Sequence, residues 1–92
     1  MMCLVFWDKK IIDGAHRKLS SRNILYTQLY LPDQIWSIVL EFSIPPIEQG
    51  YECIADEVYF LADTAPHYLL ADGFKFDFLD GPRKIGECIV TT

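Results

Sequence analysis

Apolar residues recur at every second position near the end of the chain. Phe74, Phe76 and Phe78 alternate with more polar residues, and this is the period of a strand with one buried face. Asp80-Gly81 then predicts a chain reversal, and the β-branched run at 85–90 supplies a second strand. The last twenty residues therefore predict a terminal hairpin.

Four earlier stretches also have the pattern of short strands, at 2–7, 24–31, 35–44 and 52–61. Residues 8–22 are expected to form a polar connection, and Pro45-Pro46 begins a loop because proline cannot continue a ladder. Residues 62–72 fit either a short helical turn, with Asp63 or Thr64 as its N-cap, or a loop. No window shows the apolar spacing of a longer helix. Six strands predict an all-β domain, either a small antiparallel barrel or a sandwich.

The composition indicates a single domain, at 1–92, with more apolar residues than its core requires. The chain has 92 residues, of which 51% are hydrophobic and 14% aromatic. A chain of this length forms one core, so the surplus points to a surface that a partner covers, including a second copy of the chain. Most tryptophans and tyrosines are expected in the core, namely Trp7, Trp36, Tyr26, Tyr30, Tyr51, Tyr59 and Tyr68.

The cysteines and the first apolar run bear on the compartment. Cys3, Cys53 and Cys88 are odd in number and form no CxxC pair, so we expect three reduced, buried thiols in a cytoplasmic protein. The run from Met1 to Trp7 is too short to span a membrane and precedes no cleavage site. Neither a signal peptide nor a membrane partner is expected.

The net charge of −5 is divided unevenly along the chain. Residues 1–22 carry +3 and residues 23–92 carry −8. The acidic body disfavours general binding of nucleic acid. A basic segment at 14–22 could still contact RNA or an acidic protein face, through His16, Arg17, Lys18 and Arg22.

The residue pattern offers no constellation for catalysis. His16 and His67 lie in separate connections, and no serine has the flanking glycines of a nucleophile elbow. Asp77 and Asp80 are three positions apart on a strand and therefore face opposite sides. Metal-ligand pairs and glycine-rich phosphate loops are missing from the sequence, so we expect no cofactor, no metal and no enzymatic activity.

The terminal hairpin resembles a known family. Over residues 69–90 it has a glycine, alternating apolar residues, Asp80-Gly81 at the turn, then Arg83 and the Ile85-Gly86 step. This order is similar to the closing hairpin of the C-terminal β-barrel domain of elongation factor Tu. Residues 1–31 resemble the opening of that barrel more faintly. The chain is also similar to small stand-alone bacterial proteins built from this barrel alone.

The resemblance implies a six-stranded antiparallel Greek-key β-barrel without chemistry of its own. Gly81 would permit the turn and Gly86 a bulge or close strand approach, while Arg83 would tie the turn to carboxylates such as Asp80. In the family this domain packs on another barrel, contacts the T-arm side of aminoacyl-tRNA and receives an exchange factor. Its RNA contact would map onto His16, Arg17 and Lys18. Pro82 and Cys88 stand where the family often has glycine.

Three functions are compatible with these observations. The first is a non-catalytic module that binds another protein or a second copy of itself. The second is an RNA-contacting protein that uses Arg17, Lys18 and Arg22. The third is a small-ligand binder or enzyme whose site is assembled across strands and cannot be recognised in the sequence.

Overall fold

The described part of the chain folds into two antiparallel sheets with three short helical segments, as shown by a computed structural model. The structure describes residues 1–15 and 17–92; His16, one of the residues singled out for partner contact, lies outside them. The strands are β1 (Met2–Trp7), β2 (Ile24–Tyr30), β3 (Ile35–Glu41), β4 (Glu52–Ala55), β5 (Glu57–Phe60), β6 (Lys75–Asp80) and β7 (Arg83–Thr91). The helices are α1 (Lys9–Gly14), α2 (Pro46–Gln49) and a 3₁₀ turn (His67–Leu69).

The strands form a four-stranded sheet, in the order β4-β1-β7-β6, and a three-stranded sheet, in the order β2-β3-β5. All neighbouring pairs are antiparallel. The all-β class expected from the sequence is confirmed. The described residues contain seven strands in two sheets, where the sequence predicted six.

The additional strand arises at Asp56, which divides the predicted strand 52–61 in two. Its carboxylate accepts a hydrogen bond from the backbone N–H of Ser43 at 2.6 Å, and its own N–H donates to the carbonyl of Glu41 at 2.8 Å. As a result β4 pairs with β1 while β5 pairs with β3. One extended stretch thus passes from the first sheet to the second.

Hydrogen bonds also connect the sheets at two other places. The hydroxyl of Thr27 on β2 accepts from the N–H of Leu79 on β6 at 2.7 Å and donates to the Leu79 carbonyl at 3.2 Å. The Thr27 side chain is buried, and Leu79 is half-buried. At the opposite edge, Val58 N–H donates to the carbonyl of Met1 at 3.1 Å.

The core between the sheets follows the predicted alternation. Ile38, Leu40 and Phe42 are buried from the three-stranded side, and Phe76 and Phe78 from the four-stranded side. All three cysteines are free and buried in strands, as the sequence predicted. Burial of these apolar side chains supplies most of the free energy that opposes chain entropy.

The terminal hairpin is confirmed, and its two glycines have different roles. Gly81 has a φ of 61°, a left-handed conformation that side chains other than glycine disfavour. Gly86 lies against the end of β1. A Cβ atom at this position would be 3.0 Å from the Phe6 carbonyl oxygen and 3.1 Å from Cε3 of Trp7. The ladder shifts register after Phe78, so both a bulge and a close strand approach occur here.

Helix α1 lies in the stretch predicted to be a polar connection, so that prediction was wrong in part. Asp8 caps the helix by accepting a hydrogen bond from Ile11 N–H at 3.2 Å, and Ile12 is buried. Tyr51 donates a hydrogen bond to Asp13 at 2.7 Å. Six residues are too few to show a helical period, and contacts of this kind stabilise such a helix.

Substitution of Gly86 tests the close approach of β7 to β1. We expect Gly86→Val to lower the free energy of unfolding by about 1–3 kcal/mol, because a branched side chain would overlap Trp7 and the Phe6 carbonyl. Asp77→Asn on the same hairpin removes only an exposed ion pair with Lys84 and should change stability far less. Urea unfolding of both variants measures the difference, and equal midpoints would contradict it.

Substitution of Thr27 tests the connection between β2 and β6. Thr27→Val keeps the shape but leaves the Leu79 N–H without its partner, which should destabilise the protein by about 1–3 kcal/mol. Thr27→Ser retains the hydroxyl and serves as the matched control. Thermal unfolding compares the three proteins. A valine variant more stable than the serine variant would show that these hydrogen bonds are not needed.

Candidate functional site

Residues of the basic segment and of the tip of the terminal hairpin line one cleft. Arg17, Lys18 and Arg22 come from the segment, and Leu79 and Asp80 come from the hairpin. The cleft has a volume of about 440 Å³, within the range typical of ligand sites. The fold thus places two sequence features, separated by more than fifty residues, next to each other.

The floor of this cleft is apolar. Trp7, Ile12, Phe78 and Ile85 line it, and each is at least nine-tenths buried. The rings of Trp7 and Phe78 meet edge to face, with centroids 4.7 Å apart. The floor is therefore the end of the hydrophobic core, reached from solvent.

An ion pair closes part of the cleft rim. Arg17 Nη1 lies 2.7 Å from Asp80 Oδ2, and both side chains are about half exposed. From the resemblance, Arg83 was expected to bind carboxylates at the turn such as Asp80. Among the described residues Arg83 forms no ion pair, so the carboxylate at the turn binds the first connection of the chain. Asp77 binds Lys84, and the two aspartates face different sides as predicted.

The outer side of the three-stranded sheet is a second candidate surface, here called the tyrosine face. Tyr26, Val39 and Tyr59 are directly opposite one another across β2, β3 and β5. Val39 is only 2% exposed although its neighbours Ile38 and Leu40 point into the core, so it is buried on the outer side between the tyrosines. The exposed apolar and aromatic residues of this face are Ile24, Tyr26, Tyr30, Ile35, Tyr59 and Leu61.

Two carboxylates lie at one end of the tyrosine face. Glu41 on β3 and Glu57 on β5 are direct cross-strand neighbours. Tyr59 donates a hydrogen bond to Glu41, and this bond raises the pKa of the Tyr59 hydroxyl. The face therefore combines tyrosine hydroxyls and apolar side chains with local negative charge.

The outer side of the four-stranded sheet carries apolar and charged residues next to one another. Phe6 is exposed there, with Glu52 and Glu87 on the strands to either side. Lys84 lies 2.8 Å from Glu87 and 3.3 Å from Asp77. The hydrogen bond from Lys84 lowers the pKa of Glu87, so the acid stays ionised and hydrated beside Phe6.

Among the described residues, the cysteines are buried and no cluster of metal-ligating side chains forms. Residues 1–15 and 17–92 contain no group of three His, Cys, Asp or Glu residues placed to hold a metal ion. The hydrogen bond with Cys3 and burial raise the pKa of the Cys88 thiol, and burial raises that of Cys53. His67 packs edge to face on Phe60. The raised pKa values make the thiols of Cys53 and Cys88 poor nucleophiles at neutral pH.

The expectation that tryptophans and tyrosines mostly lie in the core was wrong. Trp7 is buried, Trp36 and Tyr51 are half-buried, and the others are exposed: Tyr26, Tyr30, Tyr59 and Tyr68. The parity of the strands carried the missing signal. Tyr26 and Tyr30 alternate with Leu25, Thr27 and Leu29. If the side of the strand that carries the two leucines faces the core, the two tyrosines must face outward.

Comparison with known proteins finds no match among protein-family models, curated proteins or solved structures. In the part of the chain that the structure describes, no helix has the length and apolar character needed to cross a membrane.

Proposed function

We propose that this protein is a non-catalytic interaction module that binds another protein through the tyrosine face. The observation that carries the proposal is the exposure of this face. Four of its residues, Tyr26, Tyr30, Ile35 and Leu61, are each more than half exposed. Isolated exposed apolar residues are normal, but a contiguous group of them marks an interaction site.

Tyrosine suits such a surface for physical reasons. Its ring buries a large apolar area at a small loss of side-chain entropy, and its hydroxyl accepts or donates a hydrogen bond at the rim. Tyr59 is already oriented by Glu41, which reduces the entropy lost on binding. The centre of the face is therefore organised before a partner arrives.

The charges on the tyrosine face indicate the chemistry of the partner. Glu41 and Glu57 border its aromatic centre, and no lysine or arginine lies on its three strands. A partner with an apolar centre and a basic residue at its rim would be complementary. A protein of this kind is the proposed occupant, and a second copy of the chain is the other outcome that the test below distinguishes.

Two matched charge substitutions test the tyrosine face. Leu61→Lys places a cation on this face, whereas Ile54→Lys places one on the outer side of the four-stranded sheet, and both side chains are exposed. The purified chain is immobilised and the proteins it retains are identified. Binding of a purified partner is then measured by calorimetry. We expect Leu61→Lys to weaken it at least about tenfold, or about 1.4 kcal/mol, and Ile54→Lys to leave it unchanged.

The oligomeric state of the wild-type chain and of the Leu61→Lys and Ile54→Lys variants, measured by sedimentation, is the second test. A dimer that Leu61→Lys dissociates would make the second copy the partner. A monomeric wild-type chain that retains no protein would overturn the proposal, and so would equal losses in both variants.

We also propose that the two sheets are parts of one six-stranded Greek-key barrel of the elongation factor Tu C-terminal type. Counted through Asp56, β4 and β5 make one bent strand, which gives six. The hydrogen bonds of Thr27 with Leu79 and of Val58 with Met1 support closure at the remaining edges. The Thr27→Val comparison tests the first of these connections.

RNA contact by the basic segment is the weaker candidate function. Lys18 and Arg22 are exposed, but Arg17 is already paired with Asp80, and the rest of the chain is acidic. Filter binding to a structured RNA at rising salt would test it. Binding that weakens steeply with salt and is lost in the Arg17, Lys18 and Arg22 to alanine variant would favour this function. Absence of binding at low salt would eliminate it.

A further inference from the structure

We propose that the cleft between the basic segment and the terminal hairpin binds a small carboxylate with an apolar body about the size of one aromatic ring. This site is separate from the tyrosine face, although Ile24 and Tyr26 border both. Its function as a ligand site does not depend on whether the tyrosine face binds a protein.

The apolar floor accounts for the body of the ligand. Trp7 and Phe78 line the cleft together with Ile12 and Ile85. The small part of these side chains that solvent reaches is apolar, so it gains free energy when an apolar group replaces water. A flat ring could stack or pack edge to face against the two aromatic side chains.

The charge of the rim accounts for the carboxylate. Among the described residues, three cations and one anion, Asp80, line the cleft, so their balance is +2 in a chain of net charge −5. Lys18 and Arg22 are exposed. The cleft is thus a positively charged depression in an acidic molecule, and such a site concentrates small anions.

The ion pair of Arg17 shows how the carboxylate would be held. Arg17 already binds one carboxylate, that of Asp80, at 2.7 Å, and an arginine fork matches this group in shape and charge. Because both side chains are about half exposed, the pair is weak and exchangeable. A ligand carboxylate would displace Asp80 from Arg17 or share the guanidinium with it, while its apolar body covers Trp7.

The position of Asp80 leads to an expectation that the net charge of the chain alone would not predict. Asp80 competes with the ligand for Arg17, so its removal should strengthen binding. Asp77 is on the same strand and carries the same charge, but it points to the other side and binds Lys84. Asp80→Asn and Asp77→Asn therefore change the net charge equally and differ in whether they release Arg17.

Titration followed by amide chemical shifts tests the site in the full-length chain. The probes are 3-phenylpropionate, its neutral amide 3-phenylpropionamide, and inorganic phosphate. We expect the carboxylate to shift the amides of Trp7, Phe78 and Ile85 and to bind at least about tenfold more tightly than the amide. Phosphate, which has no apolar body, should leave the three floor residues unshifted.

The variants sharpen the result. Asp80→Asn should tighten 3-phenylpropionate binding about threefold, the scale of an exposed ion pair, while Asp77→Asn leaves it unchanged and Arg17→Gln weakens it. Thermal unfolding of each variant checks that the hairpin is intact. Equal affinity for the carboxylate and the amide would overturn the proposal, and so would equal effects of the two asparagine variants. Failure of every probe to shift the floor residues would also overturn it, without bearing on the Leu61→Lys experiment.

Discussion

The packing of Trp7 on Gly86 is the contact on which the rest of this structure depends. Trp7 ends β1 and lies where β7 has no side chain, so its indole can sit directly on the neighbouring backbone. From there it meets Phe78 on β6 and donates its Nε1–H to the Cys53 sulfur on β4 at 3.2 Å. A single side chain thus touches the other three strands of the four-stranded sheet. Any atom added at Gly86 would push it away from them.

The same contact links the fold to the proposed ligand site. The indole forms part of the core on one side and the floor of the cleft on the other. Packing and one hydrogen bond hold the indole ring in place. The apolar floor is therefore stable without another segment of the chain to cover it. Rigid support of this kind favours binding, since little side-chain entropy remains to be lost.

The sequence was sufficient to predict strand positions, the terminal hairpin and most of the core. These depend on alternation, which is local: Ile38, Leu40 and Phe42 follow a period of two and are buried. The division at Asp56 was not predictable, because it depends on hydrogen bonds with Ser43 and Glu41, which form only once separate segments meet. Helix α1 has a local cap at Asp8, but its six residues are too few to show a helical period.

The candidate site was predictable only in part, for the same reason. The basic residues Arg17, Lys18 and Arg22 stand out in the sequence, and so does the turn at Asp80. Their meeting across one cleft is a property of the tertiary fold. The tyrosine face was missed because aromatic residues were assigned to the core by type. The alternation along β2 places Tyr26 and Tyr30 on one face of the strand and the buried Thr27 on the other.

The cleft lies where β2 and β6 face each other without a ladder between them. Two depressions adjoin the Thr27–Leu79 connection: the basic cleft, and a smaller one lined by Gln28 and Gly81. A continuous ladder between the two strands would bring their backbones about 4.8 Å apart and fill this space. The two hydrogen bonds of Thr27 instead hold the strands together at one point, which joins the sheets and still leaves the end of the core accessible. The single point of connection between the two sheets therefore also leaves room for the proposed ligand site between the basic segment and the hairpin tip.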